Sequence, residues 1–464
     1  MTRPNSLATN YTYDNKSRLL SVLHQLSGST IDGASYTVDA AGNRTAKTDQ
    51  LASVTSNYTY DSIYELTQVT QGGTTTESYS YDAVGNRTAS LGVSSYTNNS
   101  SNELTATSNA SYTYDSNGNM SSKTNSAGTT NYAWDYENRL ASVSLPSSSG
   151  TATFKYDPFG RRIQKSFTQG STTTTTNYLY DGDNDIEEVN ASGSILARYT
   201  QTQNIDEPLA ESRSSTTSFY EADGLGSVTS LTNSSAAVVA TYTYDSFGSL
   251  TASSGTLTNP FRYTARELDT ETGLNFYRAR YYDPSTSRFQ AEDPIRFRGG
   301  INFYAYVNNR PTLLRDPSGR ACWGGGASGT AVLTAFWFGT GVEGTIFMVG
   351  DSQGNYGVLD CAGGGFGASS GVGGSVGLQG MSIFSPNCNS ICDMQGGFGG
   401  ATAFAGAGAT GMYSASLTLG MTTATVTVGG GGGFGAGFGL VGIGGDCMLI
   451  WKRHSCPSCP KSKK

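Results

Sequence analysis

The chain has 464 residues, 60 of them glycine and 28 tyrosine; only 14% are charged, and the net charge is −7. Phosphate binding needs clustered Lys and Arg; here they cluster only at Lys452-Arg453 and from Lys461 to Lys464, so nucleic acid is excluded as a partner of the whole chain. Tyr, Thr and Val favour strands while Gly, Asn and Asp favour turns, so the expected class is all-β with many short strands.

The first 260 residues read as a repeat array. Met1-Thr2-Arg3-Pro4 leads almost directly into Tyr11-Thr12-Tyr13-Asp14, with no secretory signal legible, and the start reads as the middle of the array. The unit is aromatic-x-aromatic-Asp, as in Tyr58-Thr59-Tyr60-Asp61, Tyr79-Ser80-Tyr81-Asp82, Tyr112-Thr113-Tyr114-Asp115, Tyr132-Ala133-Trp134-Asp135 and Phe154-Lys155-Tyr156-Asp157. Steps between the aspartates are 21 residues (Asp61 to Asp82), 20 (Asp115 to Asp135) and 22 (Asp135 to Asp157). Alternation places both rings of a unit on one strand face. The Asp opens a turn, and a glycine three residues on, as at Gly85, Gly118 and Gly160, supplies positive φ. One unit cannot bury its own aromatic face, whereas stacked units can. The repeat tyrosines and aspartates therefore read as structural, with a tyrosine-rich sugar-binding surface as the alternative.

These units resemble YD repeats, as in Tyr81-Asp82-Ala83-Val84-Gly85-Asn86-Arg87. The resemblance implies strands spiralling into a hollow β shell. Family shells hold more repeats, so a shell segment is expected, closed only if a second chain completes it. Residues 261–319 resemble the RHS repeat-associated core, through Arg278-Ala279-Arg280-Tyr281-Tyr282, Glu292-Asp293-Pro294 and Pro311-Thr312-Leu313-Leu314-Arg315-Asp316-Pro317-Ser318-Gly319. Asp223-Gly224-Leu225-Gly226-Ser227-Val228 resembles the segment that precedes that core.

The resemblance implies a plug carrying a single-turnover, aspartyl-type self-cleaving protease, with Arg280, Asp293 and Asp316 as its functional side chains. The cleavage motif takes in Pro311, Pro317, Gly319, Arg320 and Ala321, and the expected cut is the Arg320–Ala321 bond. Two carboxylates suit peptide hydrolysis, because a shared proton gives one base for water and one acid for the leaving amine. A bond in the same chain also arrives pre-positioned. Asp157-Pro158-Phe159-Gly160 is a second Asp-Pro-x-Gly inside an ordinary repeat, so the tetrapeptide alone equally fits a type I turn. Two positions depart from the family pattern. Arg320 stands where an apolar residue is usual, and Ser287 stands where a glycine is usual before Arg288 and Phe289.

The expected division is an array at 1–260, the core at 261–320 and a variable glycine-rich, β-rich unit at 321–464. In the family that last unit is cargo, often a toxin. Here it holds all seven cysteines, and its sole histidine is His454. From Cys322 to Ile450 the charged residues are Glu343, Asp351, Asp360, Asp393 and Asp446 alone, which disfavours nuclease or deaminase chemistry. Leu333 to Val349 is apolar but broken by glycine, and reads as paired strands rather than a spanning helix. Tyr413, Ala415, Leu417, Leu419 and Met421 alternate with Ser414, Ser416 and Thr418; the phase then slips before Ala424, Val426 and Val428. The favoured reading is a strand of a soluble sandwich, with a membrane-inserting hairpin as the alternative. Cys447, His454, Cys456 and Cys459 have zinc-ligand chemistry, but disulfides that also use Cys388 and Cys392 are favoured; no metal and no cofactor is assigned.

The leading expectation is a secreted or cell-surface repeat scaffold that encloses, cuts and delivers its own C-terminal unit. Its partners would be that unit as cargo, a shell-completing chain or secretion machinery, and a target membrane or carbohydrate. The alternative is a non-cleaving structural or adhesive surface protein.

Overall fold

The computed structural model describes residues 2–320 and, by backbone alone, eight strands between Thr330 and Arg453. These fall into two units, divided between Ala321 and Cys322.

In the first unit, strands from Ala8–Tyr13 to Arg87–Ser90 form an eight-stranded antiparallel sheet. Strands from Tyr96–Asn98 to Leu250–Ser254 form a sixteen-stranded one, each in strict sequence order. The turn chemistry is local and repeated. In most units the Asp that closes the aromatic pair accepts two backbone N–H groups on one oxygen, from the residues two and four positions on; Asp181 instead stays in its strand, paired with Asn184. For Asp82 the donors are Val84 (3.0 Å) and Asn86 (2.9 Å); for Asp115, Asn117 and Asn119 (both 2.9 Å). Such an Asx turn fixes where the chain reverses without help from distant residues.

The two rings of each unit have different surroundings. The first, as in Tyr79, Tyr112, Tyr132, Phe154 and Tyr178, is buried. At the second, the partner strand carries an extra residue, as between Thr59 and Tyr60, Ser80 and Tyr81, and Lys155 and Tyr156. A bulge of this kind re-aims a side chain, and the second ring donates to a carbonyl of the neighbouring repeat strand. Tyr81 donates to Leu66 (2.8 Å), Trp134 to Met120 (2.8 Å), Tyr156 to Leu140 (2.7 Å), Tyr180 to Arg162 and Tyr244 to Val228 (both 3.0 Å). So one ring fills the core and the other stitches hairpin to hairpin, where the sequence pattern had suggested equal packing for both.

The array also returns to its own beginning. Arg3 pairs with Glu221 (2.7 Å), Lys47 with Asp223 (2.6 Å), and Asp32 accepts from Thr229 (2.7 Å) and Ser230 (2.5 Å). These contacts are made by side chains. Among the described residues, the edge strand Leu250–Ser254 pairs on one side only, and Ala8–Tyr13 pairs with one strand, with a single further bridge from Ala8 to Thr2.

Residues 261–319 add a small sheet of four strands, Glu267–Asp269, Leu274–Tyr277, Arg280–Asp283 and Arg288–Phe289. Its rings complete the repeat core. Phe276 and Tyr281 cluster with Tyr112, Tyr132 and Phe154, while Tyr277, Tyr282, Phe289 and Tyr306 cluster with Leu66, Tyr79 and Phe247. Buried charge ties the two parts together at Arg162–Asp269 (2.5 Å) and Arg266–Asp206.

In the second unit the eight strands close into an antiparallel barrel. Its order is Thr330–Ala335, Gly341–Gly350, Tyr356–Ser370, Ala436–Arg453, Gly396–Ala407, Met412–Leu419, Ala424–Phe434, Gly374–Phe384 and back to the first. The sandwich expectation is corrected here: every strand has two neighbours, so there is one continuous sheet without edges. Leu333 to Val349 falls into two paired strands. The slip of phase after Met421 falls between Met412–Leu419 and Ala424–Phe434, so it marks a change of strand. Of the four candidate zinc or disulfide residues at the end of the chain, Cys447 lies on the last strand, while His454, Cys456 and Cys459 lie outside the described residues. Cys388 and Cys392 also lie outside them.

Candidate active site

Asp316 has the same side-chain acceptor pattern as the repeat aspartates. One of its oxygens accepts the N–H groups of Ser318 (3.2 Å) and Arg320 (3.1 Å), two and four residues on. Asp157 does the same with Phe159 and Arg161 (both 2.9 Å). The two Asp-Pro-x-Gly segments share these side-chain bonds, but backbone bonds also close the turn at Asp157, from the Gly160 N–H to Asp157 and from the Asp157 N–H to Arg161 (both 3.0 Å), whereas residues 317–320 form an open bend. The second oxygen of Asp157 is taken by Arg161 (2.7 Å) near the surface. Burial pushes Asp157 upward, but Arg161 and the turn N–H groups outweigh it and hold the carboxyl below its ordinary value. Asp316 is 2% exposed. Burial pushes it up, Arg280 pulls it down and Asp293 pushes it up again, leaving it at about 7.

Arg280 joins the two acids. It begins the strand Arg280–Asp283, straight after a tight turn in which Arg278 takes φ +56°. Its guanidinium lies over the Phe289 ring at 3.5 Å and is buried. One terminal nitrogen meets Asp293 at 3.0 Å and Asp316 at 3.3 Å. The other donates to the Phe303 carbonyl (2.9 Å), and Nε donates to the carbonyl of Gly319. Burial pushes Arg280 below its ordinary value, against the pull of both carboxylates. Asp293 is positioned by its own backbone: its N–H donates to the Phe303 carbonyl (3.0 Å), and its side chain accepts the Ile295 N–H (2.9 Å). The structure therefore brings together the three side chains that the family resemblance had singled out.

It also shows partners that motif reading passed over. Three consecutive residues of the tight turn hold three consecutive carbonyls of the motif. Arg278 donates to Pro317, the Ala279 N–H to Ser318 (3.2 Å) and Arg280 to Gly319. Arg278 is in turn held by Asp206 of the array (2.9 Å), which also binds Arg266. Burial pushes Asp206 upward, but the two arginines more than offset this and hold it below its ordinary value. The pairing of Arg278 with Arg280, two residues apart beside a hairpin turn, was the available signal. Asp206 lies 72 residues before Arg278 in an irregular loop, and nothing local marks it.

The remaining motif positions differ in place. Gly319 has φ +68°, and a Cβ there would meet the Tyr277 carbonyl oxygen at 2.0 Å, so only glycine fits under the clamp. Pro317 is half-buried beneath Arg278. Pro311 is buried in the segment that anchors the motif to the array, where Thr312 accepts from Arg44 (3.0 Å) and meets the Tyr60 hydroxyl (2.9 Å). Arg320 is half-buried, and Ala321 lies outside the described residues. Ser287 takes φ +59° itself, so the turn keeps the shape a glycine would give it. Its hydroxyl accepts from Arg87 (3.0 Å) and donates to Pro284 (3.3 Å). Among the described residues no three His, Cys, Asp or Glu side chains gather as a metal site.

Residues 50–312 match the family model of the teneurin YD-shell. A tRNA3(Ser)-specific nuclease WapA of Bacillus spizizenii is 34% identical over 232 residues, covering 48% of this chain and 10% of that protein. Toxin protein Tse5 of Pseudomonas aeruginosa is 45% identical over 60 residues, 13% of this chain and 5% of that protein. The chain thus spans a tenth or less of the length of these relatives. Among solved structures, TcdB2-TccC3-Cdc42 aligns with a TM-score of 0.58 at 20% identity, over 69% of this chain and 18% of that one. The family model takes in more than half of the residues, and the sheets follow the same fold, so the chain belongs to the YD-shell family of RHS/YD-repeat proteins.

Proposed function

We propose that this chain belongs to a toxin-type repeat scaffold whose core cuts the chain once and so frees the unit that follows the core. One observation carries the reading: a single buried arginine bridges two carboxylates while gripping the backbone of the motif between them. In this reading Asp293 takes a proton from water, and the hydroxide adds to the scissile carbonyl carbon. Asp316, held near 7, gives its proton to the departing amine. The bond's new carboxyl and amino ends take up one water between them, and no cofactor enters. Arg280 keeps the two carboxylates together and the backbone in register.

The preferred bond is Arg320–Ala321. A second register has its own observation: the Gly319–Arg320 peptide has its carbonyl on Arg280 and its N–H on Asp316. Denaturing gels of the purified chain should show two pieces, and Asp293→Asn should leave one. Mass spectrometry of the released piece then separates a start at Ala321 from a start at Arg320. A single full-length band from the unsubstituted chain would defeat the proposal. It would also favour the non-cleaving surface-protein reading. Secretion, a shell-completing partner and delivery machinery belong to the same proposal, supported by the toxin relatives.

A further inference from the structure

The barrel's register sorts residue types onto its two faces. Residues paired directly across an antiparallel sheet share a face. Around Met412–Leu419, the pairs are Leu417 with Val426 and Ala401 on one face, and Ser416 with Thr427 and Thr402 on the other. The same assignment carries on from Ala403 to Leu440 to Ala368, from Ala362 to Gly344, and from Ile346 through Leu333 and Leu378 back to Ala424–Phe434. It closes without contradiction. All eleven alanines of the eight strands fall on the first face, and all seven threonines fall on the second.

The first face has a further pattern. Tyr413, Phe434 and Phe438 lie at one end of the barrel, and Tyr356, Phe384 and Trp451 at the other. Between them the face is mostly Ala, Val, Leu, Met and Gly, with Phe366 and two carboxylates, Asp360 and Asp446, on the neighbouring strands Tyr356–Ser370 and Ala436–Arg453. Spanning strands need about 9–11 residues, and six of the eight strands have ten or more. Charge decides between water and lipid as the surroundings. A soluble surface is roughly 25–35% charged. The second face holds only Glu343 and Lys452, and the first only Asp360, Asp446 and Arg453. Whichever face is the barrel's exterior, it carries far less charge than the roughly 25–35% suited to a soluble surface.

We propose that the C-terminal unit is a membrane-inserting β-barrel, with the alanine-bearing face between two aromatic belts assigned to lipid. The threonine-bearing face lines the inside. This goes beyond the self-cleavage reading and does not rest on it.

The test uses the full chain, diluted from urea into phosphatidylcholine–phosphatidylglycerol vesicles, floated on a density gradient and detected through its C-terminal end, cut or uncut. The unsubstituted chain should float and leave a protease-protected fragment within 330–453. Leu417→Arg should lower the vesicle partition constant, read from the floated fraction across a lipid titration, about 30-fold or more, the cost of an arginine at mid-bilayer. Thr418→Arg, one residue away on the other face, should stay within about two-fold, because lumen positions tolerate charge. An unsubstituted chain that stays at the bottom, or an equal loss in the two variants, would overturn the proposal. Self-cleavage is read separately on gels, so failure of one reading leaves the other intact.

Discussion

Asp157 and Asp316 each accept the N–H groups two and four residues on, yet only Asp316 is held near 7. The difference is burial first, which disfavours the charged carboxyl most, and then the push of Asp293, which together outweigh the pull of Arg280. If Asp316 supplies the proton to the leaving amine, the rate of cutting during refolding should be highest below about pH 7. It should fall as pH rises through that value and the acid is lost. A series of refolding reactions from pH 5.5 to 8.5, quenched on gels, measures this. An increase through pH 7 would reverse the roles given to the two acids. At the same scale, Ser287 shows that a glycine position can keep its φ without glycine when the hydroxyl finds partners.

Two elements give the fold and the site their precision. In the repeats, the bulge before each second ring lets its hydroxyl or indole N–H reach the adjacent strand. Tyr244→Phe removes one such bond, to Val228, and should cost about 1 kcal/mol in urea unfolding. A change near zero would mean the stitch is replaced by water. In the core, the turn at Arg278-Ala279-Arg280 clamps the motif through consecutive carbonyls, and Asp206 holds the clamp to the array. Arg278→Met should therefore slow cutting by about ten-fold or more, since hydrogen bonds to charged groups contribute roughly 1.5–3 kcal/mol. Arg278→Lys should recover part of the rate, and the pH profile should stay unchanged, because Arg278 positions the backbone and does not touch the acids. A shifted pH profile would place it among the reacting groups.

At the scale of the whole molecule, the array and core bury many charged groups. Glu211 is pushed up by burial to about 7, and burial also raises Asp185 well above its ordinary value, along with Glu77 and Asp245. A carboxyl raised in the folded state binds more protons there than when unfolded, between about pH 4 and its folded value. Stability from these groups is thus full below about pH 4 and is lost as pH rises toward 7. Groups held low, such as Asp206, Asp223 and Asp269, act only below about pH 4. Urea midpoints should fall from pH 5 to 7.5, and Glu211→Gln should flatten that slope. A slope left unchanged would show that Glu211 is ionised throughout.

The sequence by itself determined the repeat and its all-β character, which rest on local rules: alternation sets strand faces, and an Asp with a glycine three residues on sets the turn. Arg280, Asp293 and Asp316 came instead from the resemblance of residues 261–319 to the RHS core. The tertiary structure decided what local rules leave open. It separated Asp316 from Asp157, because burial and a shared arginine are long-range facts. It supplied Asp206 from 110 residues before Asp316, and it replaced the expected sandwich by a closed barrel. Strand alternation specifies two faces, but only the pairing of strands far apart in the chain says whether a sheet ends in edges or closes on itself.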